Sequence, residues 1–193
     1  MNLPNKLTMF RVILIPFFLF FLLTELMGDL GNYISLAIFA IASLTDLFDG
    51  KIARKYNLVT NFGKFMDPIA DKLLVSSALI AFVELGIMPA WAVIIMIARE
   101  FVISGFRLVA ADTGLVLAAS IYGKAKTATQ MVACVFFILY QPICHILNKA
   151  LQYDEIPTFM IVIKWVLIGV CVLLSLVSLA DYLIKNRSVI AER

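Results

Sequence analysis

Asp46-Leu-Phe-Asp49-Gly50-Lys-Ile-Ala53-Arg54, followed after eight residues by Gly63-Lys-Phe-Met-Asp67-Pro-Ile-Ala-Asp71, sets four carboxylates into sequence that otherwise suits lipid. A charged side chain at the centre of a membrane helix costs roughly 2.5–3.5 kcal/mol by the lower estimates. Four of them beside Lys51, Arg54, Lys55, Lys64 and Lys72 are hard to explain as packing. The site of action is expected here.

Around this string the 193-residue chain is 63% hydrophobic and only 15% charged, with a mean hydropathy of +1.00. A soluble domain of this length carries about a quarter charged residues. The composition therefore predicts an all-α polytopic membrane protein, one domain over residues 1–193. About 20 apolar residues cross the hydrocarbon core as a helix. Six such spans are expected, at Met9–Met27, Tyr33–Ile52, Pro68–Leu85, Pro89–Ala111, Ala125–Leu147 and Thr158–Ile184. Asn2 to Thr8 reads as a short interfacial segment before the first span. That first apolar run follows Lys6 and Arg11 and lacks a small-residue cleavage site, so it is expected to stay as a membrane helix.

Lysines and arginines orient the chain, because cytoplasmic loops carry them in excess. With the N-terminus inside, all of the 16 fall on the cytoplasmic side except Lys149 and Lys164. Both termini and the aspartate cluster are thus expected on the cytoplasmic face of the cell membrane. Cys134, Cys144 and Cys171 lie in apolar stretches without metal-type spacing and read as small buried hydrophobes. His145 is the lone histidine and offers no partner for a metal site. No nucleic-acid partner is expected.

Helical geometry sharpens the cluster. Each residue turns the wheel by about 100°. With Asp46 at zero, Asp49 falls at about −60°, Gly50 at about 40° and Ala53 at about −20°. Asp67 and Asp71 are i, i+4 neighbours about 40° apart, and Gly63 joins their stripe if that helix starts early enough. Taken singly, Asp67 before Pro68 also resembles a helix N-cap, and Asp46 or Asp49 could pair with Lys51, Arg54 or Lys55. Taken together, the four carboxylates with small residues beside them suit hard cations, Mg²⁺, Mn²⁺ or Ca²⁺, rather than zinc. Two such metals can clamp a phosphate. Arg54 offers a planar donor fork for phosphate, and a carboxylate left partly free could take a proton from an attacking hydroxyl.

The full string Asp46-x₂-Asp49-Gly50-x₂-Ala53-Arg54-x₈-Gly63-x₃-Asp67-x₃-Asp71 resembles the signature of the CDP-alcohol phosphatidyltransferases at every defining position. The resemblance implies six membrane helices and a reaction in which a hydroxyl attacks the β-phosphorus of CDP-diacylglycerol and CMP leaves. It implies that Asp46, Asp49, Asp67 and Asp71 hold two divalent cations, Mg²⁺ or Mn²⁺, with Asp71 also the general base. Gly50, Ala53 and Gly63 would leave room for the cytidine, and Arg54 would contact the diphosphate. A homodimer within the membrane lipid is also implied.

Thr8, Arg11, Arg99, Arg107, Lys124 and Lys126 are all assigned to the cytoplasmic half, where cations around a polar pocket suit an anionic acceptor. Each cation alone also reads as a snorkelling anchor. Asn2-Leu-Pro4-Asn5-x-Leu-Thr8-x-x-Arg11, Arg99-Glu100-Phe101, Arg107 and Gly123-Lys124-x-Lys126-Thr127 resemble the bacterial branch that makes phosphatidylglycerophosphate. That implies glycerol 3-phosphate as acceptor, with those six residues as its phosphate pocket. Phosphatidylglycerol, in a cardiolipin synthase, or an inositol phosphate are the competing acceptors within the family. A divalent-cation transporter is the competing class, disfavoured because the outer half lacks matching polar residues.

Overall fold

The computed structural model describes residues 2–55, 61–112, 120–152 and 155–186. Within these, side chains at 3–4, 25, 46–55, 61–65, 67–68, 71 and 111–112 lie outside the description. Seven α-helices and no strand occur among the described residues: α1 (Leu3–Leu23), α2 (Asp29–Lys55), α3 (Asn61–Glu84), α4 (Ala90–Asp112), α5 (Ile121–Ile138), α6 (Tyr140–Leu151) and α7 (Thr158–Lys185). A short 3₁₀ turn, Glu25–Met27, joins α1 to α2.

The expected interfacial segment is not a separate piece. Asn2 is extended and its carbonyl accepts from the Lys6 N–H at 3.2 Å, so α1 starts at Leu3 and runs unbroken to Leu23. Pro4 sits in its first turn, where a missing N–H costs nothing. The α3 start also differs from the expected Pro68. Asn61 opens that helix, so Asp67 is not its N-cap and Gly63 belongs to the same helix as Asp67 and Asp71. The expected span Ala125–Leu147 is bent by 51° between α5 and α6. Pro142 explains the break: it cannot donate to the Ile138 carbonyl four residues back, and its ring crowds that oxygen.

Helix α3 ends in a Schellman motif, with Ile87 N–H bonded to Phe82 O at 2.9 Å and Gly86 N–H to Val83 O at 3.0 Å. Gly86 takes φ +66°, which a Cβ would disfavour. The helices form two groups: α1 packs on α2 and α3, and α7 packs on α4 and α5. Contacts of α3 with α4 and α5 and of α2 with α5 join them. Phe18 meets Phe39 at 5.7 Å between ring centroids in the first group, and Phe82 meets Phe137 at 5.5 Å across the join.

The solvent preference of the surface is inverted. Phe17, Trp91, Ile94, Phe101, Leu108 and Trp165 are exposed, whereas Thr8, Arg11, Arg99, Lys126 and Gln130 are buried. In water this arrangement would be costly on both counts; in lipid the apolar exterior is solvated and polar groups turn inward. Apolar helices with this exterior belong to a membrane protein. Among the described residues two helices, Asn5–Leu23 and Thr158–Lys185, are long and apolar enough to cross a bilayer, or three if the bent α5–α6 pair is one span. The apolar part of α2 is only Asp29–Thr45, and α4 is interrupted by Arg99, Glu100 and Arg107. All three cysteines are free and buried, as expected of small hydrophobes. The Nδ1 of His145 lies 2.8 Å from Asp29 Oδ1, an exposed pair joining α6 to the start of α2.

Candidate active site

Helix α2 carries Asp46, Asp49, Gly50, Ala53 and Arg54 without a break, and α3 likewise carries Gly63, Asp67 and Asp71. The i, i+3 and i, i+4 spacings of the carboxylates are therefore helical spacings on two continuous helices. The side chains of these eight residues lie outside the described residues. No group of three or more metal-ligating side chains occurs among the residues that are described.

Helix α1 packs on both of these helices. Asn5, Thr8 and Arg11 recur every third residue along it, and all three are buried, Arg11 to 1% exposure. A guanidinium is not held that deep without interactions to offset its lost hydration, and each of the three makes interactions in the interior.

A second polar group stands where α4, α5 and α7 meet. Arg99 of α4 is buried; its Nη1 donates to Glu100 Oε1 at 3.0 Å and its Nη2 donates to Ser178 Oγ of α7. Lys126 of α5, 2% exposed, donates from Nζ to the same Glu100 Oε1. One carboxylate thus serves two buried cations, which leaves the group net positive. Gly123 makes room for it: a Cβ there would stand 3.3 Å from Arg99 Nη2 and 3.6 Å from Ser178 Oγ. The start of α5 is tied to α7 as well. Ser120 Oγ donates to Asp181 Oδ2 at 2.5 Å, and Lys185 Nζ lies 2.6 Å from Asp181 Oδ1.

A cavity of about 70 Å³ opens beside Lys126, walled by Lys72 and Ser76 of α3, Glu100 of α4, and Lys126, Thr127 and Gln130 of α5. Lys72 directly follows Asp71, so this space adjoins the helix that bears half of the aspartate cluster.

The six cationic-pocket candidates therefore separate. Arg99 and Lys126 come together through Glu100, and Thr8 and Arg11 are buried on α1. Arg107 and Lys124 are exposed, with Arg107 lying 5.9 Å over the Tyr182 ring. Sequence reasoning gave no role to Glu100, Gln130 or Ser178. The available signal was weak but real: a polar side chain in an apolar helix is costly and marks a bundle interior, and Gln130 follows Lys126 by one turn.

A model of the CDP-alcohol phosphatidyltransferase family matches residues 1–177. The chain is 49% identical over 149 residues to the CDP-diacylglycerol–glycerol-3-phosphate 3-phosphatidyltransferase of Bacillus subtilis, covering 72% of this chain and 77% of that relative. It is 38% identical over 193 residues to the protein of the same name from Escherichia coli, covering 97% of this chain and 96% of the other. The Rickettsia typhi protein of that name is 43% identical over 138 residues, covering 72% of this chain and 76% of the other. The chain belongs to the CDP-alcohol phosphatidyltransferase family, and it is a phosphatidyltransferase enzyme.

Proposed function

We propose that the protein transfers the phosphatidyl group of CDP-diacylglycerol to glycerol 3-phosphate, releasing CMP and forming phosphatidylglycerophosphate. Relatives that carry this name support the reaction, one of them along nearly the whole chain. The observation that carries the acceptor is the buried Arg99–Glu100–Lys126 group beside α3. Its surplus positive charge in a largely buried setting suits a small phosphorylated alcohol, whose phosphate takes charge-assisted hydrogen bonds. Thr8 and Arg11, buried on α1 where it packs on α2 and α3, are assigned to the same phosphate pocket, and Arg107 and Lys124 supply outlying positive charge.

Asp46, Asp49, Asp67 and Asp71 fit two divalent cations, since both helices run unbroken through them and carboxylate oxygen is the donor that Mg²⁺ and Mn²⁺ prefer. When bound, such a pair neutralises charge on the diphosphate. Arg54 contacts the diphosphate, and Gly50, Ala53 and Gly63 leave space for the cytidine. Asp71 takes the proton of the acceptor hydroxyl as its oxygen bonds to the β-phosphorus and the bond to CMP breaks.

The fold is read as one domain over residues 1–193, with six membrane helices and both termini cytoplasmic in the cell membrane. The bias of all but two of the 16 cations to one face supports that orientation. A homodimer fits the apolar exterior. The test is CMP release by purified protein given CDP-diacylglycerol, Mg²⁺ and a panel of acceptors. Release with glycerol 3-phosphate is expected; release only with phosphatidylglycerol or only with an inositol phosphate would overturn the acceptor.

A further inference from the structure

Gln130 has a polar atom that none of these roles uses. Its side chain is 3% exposed, and its Nε2 has no hydrogen-bond partner among the described residues. A buried donor left unpaired is costly, so such groups are usually satisfied. Gln130 lines the cavity between α3, α4 and α5, one turn along α5 from Lys126. Across that space stands Glu100, whose pairs with Arg99 and Lys126 both fall on Oε1, so that Oε2 lies outside both. The cavity, about 70 Å³, exceeds the roughly 30 Å³ share of one water in the liquid. Among the polar groups that line it, Gln130 Nε2 is a donor with no partner among the described residues, and Glu100 Oε2 is an acceptor outside both ion pairs. A hydroxyl both donates and accepts.

We propose that Gln130 determines acceptor specificity by reading the hydroxyl that does not react: Nε2 donates to its oxygen, and Glu100 Oε2 accepts its proton. This rests on the acceptor proposed above. Glycerol 3-phosphate has three polar points in a row. Its phosphate lies against Lys126, with Arg99 joined to that group through Glu100, its terminal hydroxyl goes to Asp71, the residue before the cavity-lining Lys72, and the middle hydroxyl falls between Gln130 and Glu100. The polar wall thereby fixes which oxygen attacks, by holding the other one.

The test compares glycerol 3-phosphate with 3-hydroxypropyl phosphate, which keeps the phosphate and terminal hydroxyl and lacks the middle one. The intact enzyme should favour glycerol 3-phosphate by about a hundredfold in kcat/KM, the scale of the two hydrogen bonds that the analogue cannot make. Gln130→Leu should lower kcat/KM for glycerol 3-phosphate by about tenfold, leaving the analogue and the KM for CDP-diacylglycerol unchanged. Gln130→Met, of similar volume, should do the same and serves if the leucine variant does not fold. Equal losses on both acceptors, or an unaltered preference, would overturn the proposal. A wild-type ratio near one with brisk turnover of both overturns it without any variant. Turnover of phosphatidylglycerol alone instead removes the underlying acceptor, and this proposal with it.

Discussion

Replacing Glu100 with leucine removes the carboxylate that two buried cations share. Lys126 is 2% exposed and the Arg99 side chain 8%, so neither can recover its hydration by a small movement. Breaking a buried ion pair from one side costs about 3–5 kcal/mol, mostly as the charge left behind. Glu100 itself is 24% exposed in its side chain, and water reaching that side pulls the figure to the lower end, about 3 kcal/mol. For a chain of this size each kcal/mol shifts Tm by about 2–4 °C, so the loss should be about 6–12 °C in detergent. Glu100→Gln keeps an acceptor oxygen and should lose about half as much. The decisive comparison is the double variant Glu100→Leu with Lys126→Met. Removing both partners leaves no stranded ammonium, so the double variant should be more stable than the sum of the single losses predicts, by at least about 1 kcal/mol. Additive losses, or a Glu100→Leu protein that melts with the wild type, would refute the coupling.

Two further outcomes bear on the site. Asp71→Asn keeps the size of the side chain and removes the base, so transfer should be abolished while binding of CDP-diacylglycerol is largely retained; near-normal turnover would take Asp71 out of the base role. Gly123→Ala gains about 1 kcal/mol of helix propensity but sets a methyl 3.3 Å from Arg99 Nη2. Stability should therefore stay within about 1 kcal/mol of wild type, while KM for glycerol 3-phosphate rises several-fold and that for CDP-diacylglycerol does not. An unchanged acceptor KM would remove Arg99 from the phosphate pocket.

The helical spacing within the candidate site was legible because it is local. The separations of Asp46 from Asp49 and of Asp67 from Asp71 are one helical turn each, and a turn is set by backbone hydrogen bonds four residues apart. The small residues Gly50, Ala53 and Gly63 follow the same rule. Burial of the cysteines was also legible, since free thiols in apolar runs have no better solvent. The helix ends were less so. Pro68 suggested a start, yet α3 begins at Asn61, and Pro142 broke a run that hydropathy alone joined. A proline marks a missing hydrogen bond; whether neighbouring helices support the turn around it depends on packing.

By itself, then, the sequence determined that this is a helical membrane protein, and it set the four aspartates at helical spacings, two on each of two helices. Only the tertiary structure separated Arg99 from Arg107. These two arginines share one helix eight residues apart, and their sequence settings look alike. One face of α4 meets α5 and α7, so Arg99 is buried against Glu100 and Ser178, while Arg107 stays exposed over Tyr182. The roles open to Glu100 and Gln130 were decided in the same way. A charge acquires its partner across helices that are distant in the chain, and periodicity within one helix carries no record of which faces meet.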